Sequence, residues 1–269
     1  MNIGIVGCAG RMGRMLLKTV IENRKNGGGA VLSGGTERPG SDMIGEDLGQ
    51  LAGLDKTGLA VGGDTKALFE ASDVVIDFTI PAATRGHAEL AAETGTALVI
   101  GTTGLDGKDN EAIDAAAERV AVVQAGNMSV GINLLCGLVE QVAEVLGPEF
   151  DIEVLEMHHR HKIDAPSGTA LMLGEAAAKG RHVNLAEVAQ RVRDGQTGAR
   201  NAGDIGFATL RGGSVIGEHT VMFASEGERI EITHKASDRA LFSTGAVRAA
   251  LWCEGRAPGR YTMRDVLGL

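Results

Sequence analysis

The densest group of chemically reactive side chains lies between Glu156 and Ala170, where histidine alternates with lysine and arginine. Three of the seven histidines and two further cations fall within positions 158–162. Clustered histidines are frequent metal ligands, but the interleaved Arg160 and Lys162 would repel a dication. We therefore interpret the segment as an anion-binding site and predict no metal there. A solvated basic surface loop is the alternative interpretation.

The same segment contains groups suited to proton transfer. A reductase that delivers hydride to one atom must supply a proton to its neighbour, and histidine is the natural donor near neutral pH. His158 or His159 could serve, and Lys162 could donate the proton or raise the electrophilicity of the substrate. Ser167-Gly168-Thr169 leads into a helix beginning near Ala170, whose free amide groups favour a carboxylate. Simple N-capping explains these three residues equally well.

A second candidate site is the loop Gly7-Cys8-Ala9-Gly10-Arg11-Met12-Gly13, a G-x-x-G-x-x-G pattern between the first strand and the first helix. In that context glycines let the backbone approach a pyrophosphate, which the helix N-terminus stabilises. Glu37 follows the second strand at the distance expected for binding ribose hydroxyls, and Arg38 could contact a ribose 2′-phosphate. The pattern predicts NADH or NADPH as cofactor. The alternatives are a glycine-rich turn without a nucleotide and a solvated charge at Arg38.

Two further strand ends are predicted to line the nicotinamide side of this site. They are Gly101-Thr102-Thr103-Gly104 and Ala125-Gly126-Asn127-Met128. Ligands of open α/β sheets bind at such carboxyl ends. Thr84 and Asn110 look like helix-start or loop residues and are assigned no chemistry.

The elements that must position these residues follow an α/β pattern in the first half of the chain. Short apolar strands alternate with alanine-rich helical stretches, which predicts a Rossmann-type parallel sheet. The predicted strands are 3–6, 30–34, 73–78, 97–100 and 120–123, and the first helix covers 10–22. The interval 38–63, rich in glycine and charge, is predicted to be a mobile loop beside the cofactor.

From about residue 130 the pattern predicts a second, α+β domain built on a mixed open sheet. A helix over 132–146 is followed by a strand over 151–156, and 214–223 and 229–234 alternate as half-exposed strands do. A last helix is predicted over 241–253. We expect a dinucleotide-binding domain of residues 1–129, completed by 239–269, and a substrate-binding and oligomerisation domain of residues 130–238.

Composition limits the classes of partner. The 269 residues carry a net charge of −9, which argues against nucleic acid or an anionic membrane as the main partner. Cys8, Cys136 and Cys253 form no C-x-x-C pair, so neither a disulfide framework nor a structural zinc site is indicated. No basic leader precedes the first strand, and no apolar run is judged to reach membrane-spanning length. We expect a cytoplasmic protein that is neither exported nor anchored.

With these residues in view, the chain resembles the dihydrodipicolinate reductase family over nearly its whole length. The most specific part is Glu156 to Thr169, which is similar to the family signature E-x-H-H-x-x-K-x-D-x-P-S-G-T. Further similar motifs are the loop Gly7 to Gly13, Asp77-Phe78-Thr79, Gly101-Thr102-Thr103-Gly104, Asn127 to Asn133, Arg211-Gly212-Gly213, Gly217-Glu218-His219 and His234-Lys235-Ala236 with Arg239.

The resemblance implies a role for each matching residue. His158 would be the proton donor and Lys162 a second acid or electrostatic catalyst. His159, Gly168 and Thr169 would bind the carboxylates of a small cyclic dicarboxylate, with help from Arg239. The cofactor contacts implied are Gly7, Cys8, Ala9, Gly10, Arg11, Met12, Glu37, Arg38, Gly101, Thr102, Thr103, Ala125, Gly126, Asn127 and Met128.

Two positions depart from the family pattern, and the resemblance also implies an assembly. Many relatives carry a bulkier residue where Gly126 stands and phenylalanine where Met128 stands, which puts the contact with the nicotinamide face in doubt. The family is typically a homotetramer assembled through the sheet of the second domain.

The implied reaction is reduction of 4-hydroxy-tetrahydrodipicolinate to tetrahydrodipicolinate, with loss of water, on the route to diaminopimelate and lysine. Two other hypotheses share the glycine loop. One is a sensor that binds a nicotinamide nucleotide without catalysis, and the other is a related two-domain amino-acid dehydrogenase.

Overall fold

A computed structural model describes all 269 residues, and they divide into two compact units. The first comprises Met1–Val130 and Ala240–Gly268, and the second comprises Gly131–Arg239 with Leu269. Each unit has its own sheet and its own apolar core. The allocation of cofactor to the first unit and of substrate and oligomer contacts to the second stays a prediction.

The first unit is built on a seven-stranded parallel sheet, as the alternating pattern predicts. Apolar strands buried on both faces account for the parallel arrangement, since neighbouring residues such as Val74 and Val75 pack into separate cores. The strand order is β12-β6-β5-β4-β1-β2-β3. The strands are β1 (Asn2–Val6), β2 (Val31–Thr36), β3 (Val61–Gly62), β4 (Val74–Asp77), β5 (Ala97–Ile100), β6 (Ala121–Gln124) and, near the C-terminus, β12 (Gly259–Tyr261).

Helices connect these strands, and several begin at a side chain that caps the free amide groups. Asp64 accepts the amide of Ala67, and Asp106 accepts the amide of Asp109 in a reciprocal capping box. The helices of this unit are α1 (Arg11–Lys25), α2 (Leu48–Leu51), α3 (Thr65–Glu70), α4 (Pro81–Thr94), α5 (Gly107–Ala117), α9 (Ala240–Trp252) and α10 (Met263–Leu267). The last stretch of the chain, Ala240–Gly268, groups with the first unit.

The interval 38–63 was predicted to be a mobile loop beside the cofactor; most of it lies outside regular elements, and its mobility stays a prediction. It contains α2 and β3, and a bridge joins Asp47 to Ala60. The Asp47 carboxylate accepts the amides of Gly49, Gln50, Thr57 and Gly58. These bonds join the start of α2 to the stretch that precedes β3. One side chain supplies the order that periodicity could not reveal.

The second unit contains a five-stranded mixed sheet with the order β11-β10-β7-β9-β8. Its inner face packs on α6 (Val130–Leu146) and α7 (Gly168–Gly180). The strands are β7 (Asp151–His158), β8 (Ala189–Gln190), β9 (Ile205–Arg211), β10 (Gly217–Ala224) and β11 (Arg229–Ala236), and a short helix, α8 (Leu185–Val188), precedes β8. The α+β class with a mixed sheet is confirmed, but β8 and β9 were not predicted.

One helix of the second unit corrects a sequence prediction. Helix α6, with the turn that follows it, is long and apolar enough to cross a membrane by length and composition. Glu140 and Glu144 are its only charged residues before Gly147, which is too few charges to lower the mean hydropathy below that of a membrane-spanning segment. One face packs into the core through Leu135 and Val139. Core helices of water-soluble proteins meet the same criterion, so it is weak evidence for a membrane.

Candidate active site

In the second unit, His158 is the last residue of β7 and is 8% exposed. Its Nδ1 lies 2.6 Å from Glu156 Oε2. The two residues share the inner face of the strand because their positions differ by two. A histidine held by a buried carboxylate therefore stands at the position of the predicted proton donor, and its catalytic role stays a prediction.

The Glu156 carboxylate is only 1% exposed and is surrounded by donors. Arg211 at the end of β9 donates to both oxygens, at 2.7 and 2.9 Å, and the Ser167 amide donates at 3.1 Å. Burial alone would raise the pKa of Glu156, but these bonds and the bond from His158 hold it below its usual range. The carboxylate is therefore ionised at neutral pH.

Opposing effects act on the His158 imidazole. Burial lowers its pKa, the Glu156 carboxylate raises it, and the charges of Lys162 and Arg211 lower it again. The net pKa lies below the usual histidine value. His158 can thus hold a proton loosely, as a general acid requires.

Lys162 lies on the loop after β7, and its side chain is 20% exposed. Its Nζ is 2.8 Å from Asp164 Oδ1, and its backbone amide donates to the His159 carbonyl. The segment is therefore less cationic than its sequence indicated, because Glu156 and Asp164 each balance one of its bases. Neither His158 nor Lys162 is a fully solvated surface charge.

The remaining predicted substrate residues lie on the same unit. Arg239 Nη2 donates to His159 Nε2 at 3.2 Å, while His159 Nδ1 is buried without a hydrogen-bond partner. Gly168 and Thr169 form the first turn of α7, which Ser167 caps by accepting the amide of Ala170. The N-terminal turn of α7 offers backbone donors for a carboxylate.

Sequence reasoning assigned no role to His219, although it noted the motif that contains it. His219 is 4% exposed, its Nε2 is 3.0 Å from Ser167 Oγ, and its ring lies edge-on to that of His158 at 5.1 Å. Burial and the nearby His158 lower the pKa of His219 to about 4. The His219 imidazole is therefore neutral and lies beside His158 in the site.

In the first unit, the glycine loop forms the turn between β1 and α1. Gly7 has a φ of 63° and its carbonyl accepts the Gly10 amide, which is the N-cap of α1. A methyl group on Gly13 would lie 2.2 Å from the Gly7 carbonyl oxygen, so only glycine lets the helix approach the loop this closely. The amides of the first helical turn, Arg11 and Met12 among them, have no partner within the helix.

A cavity of about 520 Å³ opens beside this loop. It has the size of a small-molecule site. Its lining includes the predicted residues Gly7, Gly10, Glu37 and Arg38, together with residues that the sequence did not single out for the cofactor: Val6, Thr36, Pro39, Thr65, Phe78, Thr79, Ile80, Ala83 and His87.

Two predicted contacts of the glycine loop are already engaged within the protein. The Ala9 amide donates to Glu37 Oε1 at 2.8 Å, which brings the acidic residue against the loop. Cys8 is fully buried and its amide donates to the Thr36 carbonyl. Burial, with the nearby Glu37, raises the pKa of the Cys8 thiol to about 12, so it is no nucleophile.

The two other predicted cofactor loops follow β5 and β6 at the same edge of the sheet, but they do not line this cavity. Gly101 packs against the Phe78 ring, and Thr102 is buried. Ala125 donates to the Ile100 carbonyl, and Asn127 Oδ1 accepts the Ser129 amide. Thr103 and Gly126 are exposed, whereas Met128 is 1% exposed and belongs to the core.

A buried anion, Asp77, joins these loops. Its Oδ1 accepts from the amide and hydroxyl of Thr79 and from Thr102 Oγ1, while Oδ2 lies 2.8 Å from His87 Nδ1. Thr84, which was assigned no chemistry, donates to Thr102. The other residue assigned none, Asn110, accepts from Arg260 at the protein surface. The family motif around Asp77 was the one sequence signal for this network.

Comparisons with known proteins agree with this arrangement. Residues 1–128 match the family model described as dihydrodipicolinate reductase, N-terminus, and residues 131–267 match that of its C-terminus. The chain is 56% identical to 4-hydroxy-tetrahydrodipicolinate reductase of Afipia carboxidovorans, over all of this chain and 97% of that protein. It is 55% identical to the Parvibaculum lavamentivorans protein of the same name, over all of this chain and 98% of the relative.

Solved structures show the same fold. Dipicolinate-bound dihydrodipicolinate reductase from Paenisporosarcina sp. TG-14 superposes with a TM-score of 0.75 at 22% identity, covering 98% of each chain. GenD2 from gentamicin A biosynthesis, in complex with NAD, superposes with a TM-score of 0.58 at 14% identity, over 99% of this chain and 90% of its own. Since both family models and the full-length relatives match, the chain belongs to the dihydrodipicolinate reductase family.

Proposed function

We propose that this protein reduces 4-hydroxy-tetrahydrodipicolinate to tetrahydrodipicolinate, with loss of water, in diaminopimelate and lysine biosynthesis. The observation that carries the proposal is the buried Glu156–His158 pair beside the capped N-terminus of α7. It combines a proton donor with backbone donors for a carboxylate. Full-length relatives bear the name of this activity.

The residues divide the work according to their chemistry. His158 donates the proton, because burial lowers the pKa of its imidazole and the ring therefore releases a proton readily. Lys162 acts as a second acid or as an electrostatic catalyst. His159, Gly168 and Thr169 hold the substrate carboxylates, and Arg239 assists through its contact with His159.

A reduced nicotinamide nucleotide fits the first unit. The cavity has the size of a small-molecule site. The absence of a side chain at Gly13 lets α1 lie close to the glycine loop, as binding of a pyrophosphate requires. When bound, this cofactor supplies the hydride. Gly7, Gly10 and the first turn of α1 bind its phosphates, Glu37 its ribose, and the loops after β5 and β6 its nicotinamide end.

We propose that both NADH and NADPH are used. Glu37 favours free ribose hydroxyls, whereas the exposed guanidinium of Arg38 favours a 2′-phosphate. We further propose a cytoplasmic homotetramer whose subunits meet through the sheet of the second unit.

A coupled assay tests the activity and the cofactor choice together. The purified protein is combined with the synthase that supplies the substrate, and the absorbance of NADH or NADPH is followed. We expect substrate-dependent oxidation of both. Cofactor binding without turnover would instead favour the nucleotide sensor, and turnover of an amino acid in a substrate panel would favour the dehydrogenase.

Replacing His158 with Ala tests the proton donor. We expect turnover to fall about 100-fold to 10,000-fold, because general acid catalysis contributes this much, while the KM for the cofactor stays close to that of the wild type. The matched control is His182→Asn in the same unit. His182 is exposed with a φ of 55°, which asparagine tolerates. Unchanged turnover of His158→Ala would remove His158 from the mechanism.

A further inference from the structure

The Glu156 carboxylate collects donors from three separate segments of the second unit. His158 contacts it from β7, the Ser167 amide from the start of α7, and Arg211 from the end of β9. Thr209 Oγ1 is a fourth, longer contact at 3.4 Å. Arg211 and the Ser167 amide can only donate to this anion.

This arrangement decides which nitrogen of His158 carries the exchangeable proton. A carboxylate flanked by Arg211 can only accept, so His158 must present Nδ1–H to it. Proton exchange is then left to Nε2. Nε2 lies on the side of Gly217, where a methyl group would come within 3.0 Å of it. The ring therefore has a fixed tautomer and a fixed orientation.

The same anion also fixes the turn that is proposed to bind the substrate. Ser167 donates its backbone amide to Glu156 and caps α7 with its hydroxyl. The proton donor and the first turn of α7 are thus bonded to the two oxygens of one carboxylate. Movement of either would break a bond to a buried charge, which is costly.

We propose that Glu156, clamped by Arg211, is the positioning residue of the reaction: it confines the exchangeable proton of His158 to Nε2 and holds that proton in register with the N-terminus of α7. This inference rests on the proposed role of His158 as proton donor. Glu156 itself does not touch the reacting atoms.

The titratable groups around His158 decide whether its pKa rises or falls when Glu156 is replaced. They are Glu156 on β7, Lys162 on the following loop, Arg211 on β9 and His219 on β10, and His234 lies beside His219 on β11. His219 is neutral, because burial and His158 lower its pKa to about 4, and burial lowers the pKa of His234 as well. Removing the charge of Glu156 would leave the two cations that lower the pKa of His158, Lys162 and Arg211, without the carboxylate that raises it.

Glu156→Gln is the principal test. A glutamine amide would face donors on both sides, so we expect His158 to lose its Nδ1–H preference and its pKa to fall. A general acid must be protonated, so the decline of turnover with rising pH should begin at lower pH. At pH 7 we expect about a 10-fold to 1,000-fold loss of kcat, with little change in the KM for the cofactor.

Two readouts are needed. The pH profile of kcat reports the reaction, and ¹⁵N NMR of ring-labelled histidine reports the tautomer and pKa of His158, assigned by its absence in His158→Ala. Glu153→Gln is the matched control, because Glu153 lies on the same strand and receives a bidentate pair from Arg193. We expect that control to leave both readouts unchanged. Glu156→Asp keeps the charge and should restore part of the wild-type pH profile.

The NMR measurement on the wild type keeps the proposal falsifiable even where a variant does not fold. A neutral His158 protonated on Nε2 in the wild-type protein would overturn it, and so would a Glu156→Gln protein with the wild-type tautomer and pH profile. Failure of the proposed catalytic role looks different. In that case His158→Ala would retain turnover, although the His158 ring of the wild-type protein still carried its Nδ1 proton.

Discussion

The buried Asp77 carboxylate holds together the loops at the carboxyl edge of the parallel sheet. It is fully buried at the end of β4, and its partners come from the next loop, from α4 and from the loop after β5. Burial would raise its pKa, but the hydrogen bonds from His87 and Thr79 outweigh burial and lower it. The anion is stable, so it ties the wall of the cavity to the proposed nicotinamide loop at Thr102.

We expect Asp77→Asn to lower stability by about 3 kcal/mol, because it leaves His87 beside an uncharged partner in a buried site. The KM for the reduced cofactor should rise as Thr79 and Thr102 lose their position. Since the pKa of Asp77 is depressed, its stabilisation is present above about pH 4 and is lost as pH falls. Urea unfolding across that range should therefore show a flatter acid dependence in the variant.

Asp73→Asn is the control for this experiment. Asp73 is exposed, precedes the same strand and accepts the Asn2 amide at 2.6 Å. Its replacement should change neither the KM nor the acid dependence. If both substitutions lowered stability equally and neither changed the KM, Asp77 would contribute to folding alone.

The candidate residues for binding and reaction could be named from the sequence, but their hydrogen-bond partners could not. His158, Lys162 and the glycine loop carry their chemistry in local spacing. The clamp on His158 depends on Arg211, which is 55 residues away from Glu156 and reaches it only because β7 and β9 are adjacent. Pairing of that kind is a property of the sheet, and no local pattern records it.

At the scale of elements, the turn between β1 and α1 depends on contact distance. A methyl group on Gly13 would meet the Gly7 carbonyl oxygen at 2.2 Å and the Cys8 Cα at 2.6 Å. Both are backbone atoms, so they cannot rotate away. The loop and the first helical turn must separate to admit any side chain.

We expect Gly13→Ala to destabilise the first unit by about 1–3 kcal/mol, as overpacking does, and to weaken cofactor binding at least 10-fold because the phosphate cradle is distorted. Gly86→Ala in the interior of α4 is the matched control, since its methyl group meets nothing within 4 Å. That change should raise stability by about 0.5–1 kcal/mol through helix propensity. Thermal unfolding and fluorescence titration with NADH measure both; normal binding by Gly13→Ala would refute the argument.

The elements themselves were predicted unequally. Long periodic helices and buried parallel strands were found within a few residues, because their apolar spacing is strong. Strand β9 was missed because it follows the glycine-rich and charged stretch 191–204, and its pairing with β7 and β8 is what makes it a strand. The predicted strand from Ser214 begins at Gly217 instead, since the chain turns at Gly213 with a φ of 51°.

At the scale of the whole molecule, the second sheet has one face that its own unit leaves uncovered. Side chains alternate along β10, so Val221 and Phe223 are buried while Met222 between them is partly exposed. Leu210 on β9 is 48% exposed. Exposed apolar side chains such as these, on a sheet face that also carries Glu153 and Glu231, fit a contact between subunits. We therefore assign the proposed tetramer interface to this face.

Met222→Lys tests that assignment without unfolding the individual subunit. Met222 is paired across the sheet with Glu153 and Glu231, so a lysine there gains opposite charges in an isolated subunit but places a cation in the proposed interface. We expect light scattering to show a tetramer for the wild type and smaller species for the variant, with a folded spectrum. Val145→Lys on α6, which packs on the opposite face of the sheet, changes a residue that is 78% exposed and should remain tetrameric. A wild-type monomer would refute the tetramer, and a tetrameric Met222→Lys would place the contact on another surface.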